Sequence, residues 1–85
     1  MHYVIAYDIR SDRRRQKVLS TLKDFGTPVQ FSVVECQLDR SRLDLLKQRV
    51  LSLIVTRRDR LTIYAFCENC FFRSERFGKE REARF

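Results

Sequence analysis

An α+β sandwich, in which a small antiparallel sheet carries two helices on one face, is the fold class this 85-residue sequence predicts. Three observations lead there. Runs rich in β-branched and aromatic residues alternate with stretches whose apolar residues recur every three or four positions. The order is strand, helix, extended segment, helix, strand, which is that of a ferredoxin-like sandwich. Two glycines, one proline and 44% apolar residues describe a folded chain with a core rather than a loop-rich one.

The first strand covers residues 3–8, with Tyr3, Ile5 and Tyr7 on one face and Val4, Ala6 and Asp8 on the other. Ser11 or Asp12 can cap a helix that begins near residue 13. Its Val18, Leu19, Leu22 and Phe25 form one apolar stripe, and Gly26 is the expected stop. The segment "TPVQFSVVECQL", residues 27–38, reads as one long strand or as a short hairpin bending near Ser32 by a bulge or irregular turn, since no Asn-Gly or Asp-Gly pair marks it. Ser41 and Asp44 have capping-box spacing, and Leu43, Leu46, Val50 and Leu53 give the second helix its stripe. After the polar link "TRRDR", the run "LTIYAFC" is the last strand. A ferredoxin-like domain over residues 1–70 thus precedes a tail over 71–85, where phenylalanines mix with dense charge without a period. That composition suits a segment ordered by docking on a dimer mate or partner protein, or a frayed terminus.

Eighteen lysines and arginines against eleven acids give a net charge of +7, which favours a polyanionic partner, nucleic acid first. No apolar run approaches the ~20 residues of a membrane span and no signal-peptide pattern is present, so a cytoplasmic chain without a membrane partner is expected. Cys36, Cys67 and Cys70 are an odd number and read as free thiols; Cys67 and Cys70 have the spacing of half a zinc site, with only Cys36 and His2 to add to it. His2 reads as a surface residue. The glycine-aromatic signature of single-strand RNA readers is missing, so Tyr7, Phe31 and Tyr64 read as core or interface aromatics.

Asp8 ends a strand where a loop begins. A carboxylate there suits either a turn or a Mg²⁺ ligand, since hard cations bind through one or two carboxylates together with water and substrate phosphate. Two copies of Asp8 facing one another in a two-fold dimer would provide two carboxylates from one position, and a domain this small gains from association. Arg13, Arg14 and Arg15 open the first helix, where its dipole disfavours cations, and with Lys17 and Lys23 they make either a phosphate-binding strip or a solvated charged face. Arg57, Arg58 and Arg60 form a second cluster, read as a nucleic-acid contact or a polar connector.

The combination of "YVIAYDI", "RRRQKV", "GTPVQFSVVECQLD" and "LTIYAFCENC" resembles the second CRISPR-associated protein family, the small Cas endoribonuclease of the adaptation module, over residues 1–70. Pro28 and Val34 depart from the family pattern, which more often has a basic residue and a phenylalanine there. The resemblance implies a symmetric homodimer that bridges integrase subunits during spacer acquisition, with metal-dependent endonuclease activity on RNA or duplex DNA. It assigns the Mg²⁺ to Asp8, one ion shared across the dimer, with Tyr7 as its catalytic neighbour. Arg15 and Lys17 become nucleic-acid contacts beside Arg13, Arg14, Arg57 and Arg58, and Asp12 is the loop acid. A non-catalytic adaptor that holds DNA, and a related toxin-type RNA-cleaving enzyme, remain open alternatives.

Overall fold

A central strand of apolar alternation organises everything else. The computed structural model describes residues 1–75 and 77. In chain order the elements are β1 (His2–Asp8), α1 (Asp12–Lys23), β2 (Gly26–Gln30), β3 (Val33–Gln37), α2 (Arg40–Leu51), β4 (Arg60–Phe66) and α3 (Glu68–Phe72). They form a four-stranded sheet in the order β2-β3-β1-β4, antiparallel at every pairing. Tyr3, Ile5 and Tyr7 of β1 are buried with Val18, Leu19 and Leu22 of α1 and Leu43, Leu46 and Val50 of α2. The period-two alternation therefore sends odd residues of β1 to the core and leaves Val4, Ala6 and Asp8 on the open face.

The sandwich read from the sequence is the one observed, and the differences are local. Residues 27–38 are a hairpin rather than one strand. The chain bends at Ser32, which takes φ 63, and slips register between Pro28 and Gln30. That slip is a bulge on an edge strand, where a proline costs no ladder hydrogen bond. The Tyr7 N–H donates to the Ser32 carbonyl at 3.0 Å, which fastens the turn to the end of β1.

Gly26 opens β2 instead of closing α1, which ends at Lys23 with Asp24 as its cap. A Cβ at Gly26 would collide with the Glu35 carbonyl oxygen and lie 2.5 Å from Cys36 Sγ, so close pairing of β2 on β3 requires glycine. α2 is capped by Asp39, whose Oδ1 accepts from the Arg42 N–H at 2.8 Å, rather than by Ser41.

His2 is buried, not at the surface: α3 folds back so that the Phe71 ring stacks on it at 3.9 Å and 5°. This first turn of the charged C-terminal region thus packs on its own sheet, and α3 runs across residue 70. Residues 76 and 78–85 of the proposed docking tail lie outside the described residues. The three cysteines are free, with Cys36 buried and its thiol pushed up to about 11 by desolvation. Among the described residues no three His, Cys, Asp or Glu side chains gather as a metal set.

Candidate nucleic-acid and metal site at the end of strand β1

Asp8 pairs in register with Arg60 at the last rung between β1 and β4, so both side chains leave the sheet on the open side. A cleft of about 530 Å³ opens at this corner, lined by Asp8 and Arg60 together with Arg10, Arg57 and Arg58. The four arginines are exposed, as is Asp8. The second arginine cluster, read from sequence as a contact or a connector, is thus the one that tertiary structure brings beside the strand-end aspartate.

The helix-start cluster divides. Arg13 and Lys17 are exposed and available to a ligand. Arg15 is engaged within the chain, Nη1 donating to the Ile9 carbonyl at 3.1 Å and Nη2 pairing with Asp12. Arg14 is turned inward: its Nε and Nη2 donate to the two carboxylate oxygens of Asp59 at 2.8 and 2.9 Å. This bidentate pairing corrects the expectation that Arg14 faces phosphate. It also answers the macrodipole cost, since Arg14 is placed there for a buried carboxylate and Asp12 lies in the same first turn.

Asp59 is the residue that sequence reasoning missed. Its side chain is fully buried although it lies between Arg58 and Arg60 in a charged link. Besides Arg14 it accepts from the Arg10 N–H at 3.1 Å and from the Val55 N–H at 2.9 Å. The Arg14 hydrogen bonds, opposed by desolvation and aided by those two backbone donors, hold its carboxyl well below the usual carboxylate range. No local pattern marks such a residue, because its partners lie four residues back in its own turn and more than forty residues away in the first loop and helix.

Tyr7 does not join the cleft. It faces the helices, opposite to Asp8, and burial pushes its hydroxyl up to about 12 against the lowering influence of Arg15. Tyr7 therefore keeps its proton at neutral pH.

The donor set constrains how a cation can be held. Asp59 lines the cleft, but its two oxygens already accept four hydrogen bonds, which leaves Asp8 as the open carboxylate of the corner among the described residues. One carboxylate among four arginines is a poor resting place for a divalent ion. It fits Mg²⁺ that arrives with phosphate, because the phosphate neutralises the arginines and supplies further oxygen ligands.

A family model described as CRISPR associated protein Cas2 matches residues 1–74. The chain belongs to that family. CRISPR-associated endoribonuclease Cas2 3 of Synechocystis is 44% identical over 62 residues, covering 73% of this chain and 67% of the relative. CRISPR-associated endonuclease Cas2 2 of Thermus thermophilus is 45% identical over 62 residues, covering 73% and 69%. A Rhodospirillum rubrum Cas2 endoribonuclease is matched over 61% of its own length at 38% identity. Among solved structures, a hypothetical protein from Thermus thermophilus superposes with TM-score 0.85 at 37% identity over 95% of this chain and 94% of that one. Streptococcus pyogenes Cas2 superposes with TM-score 0.81 at 26% identity over 92% and 100%. Of the two departures from the family pattern, Val34 is fully buried opposite Ile5 and Pro28 sits at the bulge of the edge strand. Among the described residues no helix is long and apolar enough to cross a membrane.

Proposed function

We propose that this chain is the dimeric nucleic-acid-binding subunit of CRISPR adaptation, acts in the cytoplasm with the Cas integrase, and carries Mg²⁺-dependent endonuclease activity at the Asp8 cleft. One observation carries this reading: the fold closes a corner in which Asp8, the open carboxylate among the described residues there, is surrounded by Arg10, Arg57, Arg58 and Arg60. Names of the relatives, endoribonuclease and endonuclease, support a phosphodiester of RNA or DNA as the substrate.

Each residue has a separable task. Arg57, Arg58 and Arg60, with Arg13 and Lys17 farther along α1, hold backbone phosphates by charge and by N–H donation without reading bases. Asp8 provides the carboxylate for Mg²⁺. When bound, the ion stabilises the charge that develops on the cleaved phosphodiester. A second copy completes the site by adding its own Asp8. The open sheet face, where Tyr64 is 50% exposed beside Val4 and Phe66, is the surface that such a copy covers.

The Asp8→Asn variant tests the reading. It is expected to bind RNA and duplex DNA at least as well as wild type, since it removes a charge that repels phosphate, and to lose Mg²⁺-dependent cleavage of either. Wild-type cleavage by the variant would make Asp8 a turn residue. The non-catalytic adaptor is the second reading, favoured by the four-to-one excess of arginines over open carboxylates in the cleft. Wild type that binds duplex DNA and cleaves neither nucleic acid with any divalent cation would leave the adaptor alone standing.

A further inference from the structure

Two loops build the cleft, and one carboxylate fastens both. The loop after β1 presents Arg10 and is held by the hydrogen bond from the Arg10 N–H to Asp59 Oδ1, two residues after Asp8. The loop before β4 is a closed turn. The Val55 carbonyl accepts from the N–H groups of Arg58 and Asp59 at 2.9 and 2.8 Å, while Val55 donates its own N–H to Asp59 Oδ2. Arg57 and Arg58 therefore stand on a backbone wrapped around the Asp59 side chain. Arg14 ties the same carboxylate to the first turn of α1.

A carboxylate with no exposed surface is costly unless its lone pairs are used, and here they are taken by both loops of the cleft and by the first turn of α1. Solvent-facing arginines lose rotamer freedom on binding, and a turn whose backbone was also unfixed would add a further ordering cost. From this arrangement we infer that Asp59 is a positioning residue for phosphate binding: it sets the Arg57–Arg58 turn against the Asp8 strand end so that their guanidinium groups meet a nucleic-acid backbone already in register. The inference rests on the cleft being the phosphate site proposed above. It carries a counterintuitive sign. Removing a negative charge from a basic cleft should strengthen polyanion binding, whereas loss of positioning weakens it.

The experiment measures duplex DNA affinity against salt on the full chain in an Asp8→Asn background, so that cleavage plays no part. Arg57→Ala with Arg58→Ala is expected to flatten the slope of log affinity against log salt by roughly 0.9 for each phosphate that is no longer neutralised. Asp59→Asn is expected to weaken binding and flatten the slope by a similar amount, and to add nothing in the Arg57→Ala, Arg58→Ala variant. Lys17→Ala, on the other hand, is expected to add fully to Asp59→Asn. Arg14→Lys keeps the charge but not the bidentate geometry, so it is expected to act in the same direction with a smaller change, and it serves if Asp59→Asn fails to fold by circular dichroism. Unchanged or tighter binding by folded Asp59→Asn, or full additivity with the arginine pair, overturns the inference and leaves the cleft as the phosphate site. An unchanged slope for Arg57→Ala with Arg58→Ala overturns both, because the cleft is then not where phosphate binds.

Discussion

Two arginine–aspartate pairs clip this small fold, and they differ in nearly everything except their chemistry. Arg49 Nη2 meets Asp24 Oδ2 at 3.1 Å with both side chains largely exposed, a single hydrogen bond between the end of α1 and α2. Arg14 meets Asp59 through two hydrogen bonds, and the aspartate side chain is entirely buried. The first pair is screened by water and salt and supplemented by packing, since Arg42 and Arg49 lie over the Phe25 ring at 4.6 and 5.4 Å. The second joins three chain segments through a single carboxylate. What matters is not the ion pair as such but how many otherwise unsatisfied groups depend on it.

The largest effect should follow removal of the buried partner. Asp59→Ala strands the Arg14 guanidinium and the Arg10 and Val55 amides, and is expected to lower Tm by on the order of 10 °C or more in thermal unfolding. Arg14→Ala should cost less than Asp59→Ala, because the two backbone donors remain on the carboxylate. Equal losses would mean that the buried carboxylate left without Arg14 costs as much as the groups stranded by its removal.

Acid sharpens the same contrast. Folding depresses the Asp59 carboxyl below its ordinary value of 3.8, so its stabilisation is complete above that value and disappears as pH falls toward the lower value of the folded state. Wild-type Tm should therefore fall more steeply below about pH 4 than that of Arg14→Gln, in which the main cause of the depression is gone. Parallel curves would remove Asp59 as the acid-sensitive group.

Smaller effects belong to the exposed clip. Phe25→Leu keeps most of the apolar volume but loses the ring beneath two guanidinium groups, for an expected cost of about 1 kcal/mol by urea unfolding. Asp24→Asn should change stability by no more than about 0.5 kcal/mol, and that change should vanish in roughly 1 M salt. A loss from Asp24→Asn comparable to that from Asp59→Ala would collapse the distinction between the two pairs.

Much of the fold is written in local pattern. The alternation of Tyr3, Ile5 and Tyr7 and the stripes of α1 and α2 select the buried faces because apolar area must leave water wherever the chain folds. Asp8 stands out for the same reason, as the first charge after an apolar strand. Local pattern misplaces Gly26, whose role depends on how closely β3 lies against β2, and it overlooks α3, too short to show a period and dependent on the stack of Phe71 upon His2.

The amino-acid order by itself determined the α+β sandwich, the strand-end carboxylate and the basic character of the surface, because these follow from periodicity and charge. Only the tertiary structure decided which arginines face outward. Hydrogen-bond partners are chosen by proximity in space, and Asp59 reaches 45 residues along the chain to engage two nitrogens of Arg14 while leaving Arg57 and Arg58 beside Asp8. Three arginines in a row look equivalent in sequence; a buried distant carboxylate engages Arg14, the Ile9 carbonyl and Asp12 engage Arg15, and Arg13 is left exposed.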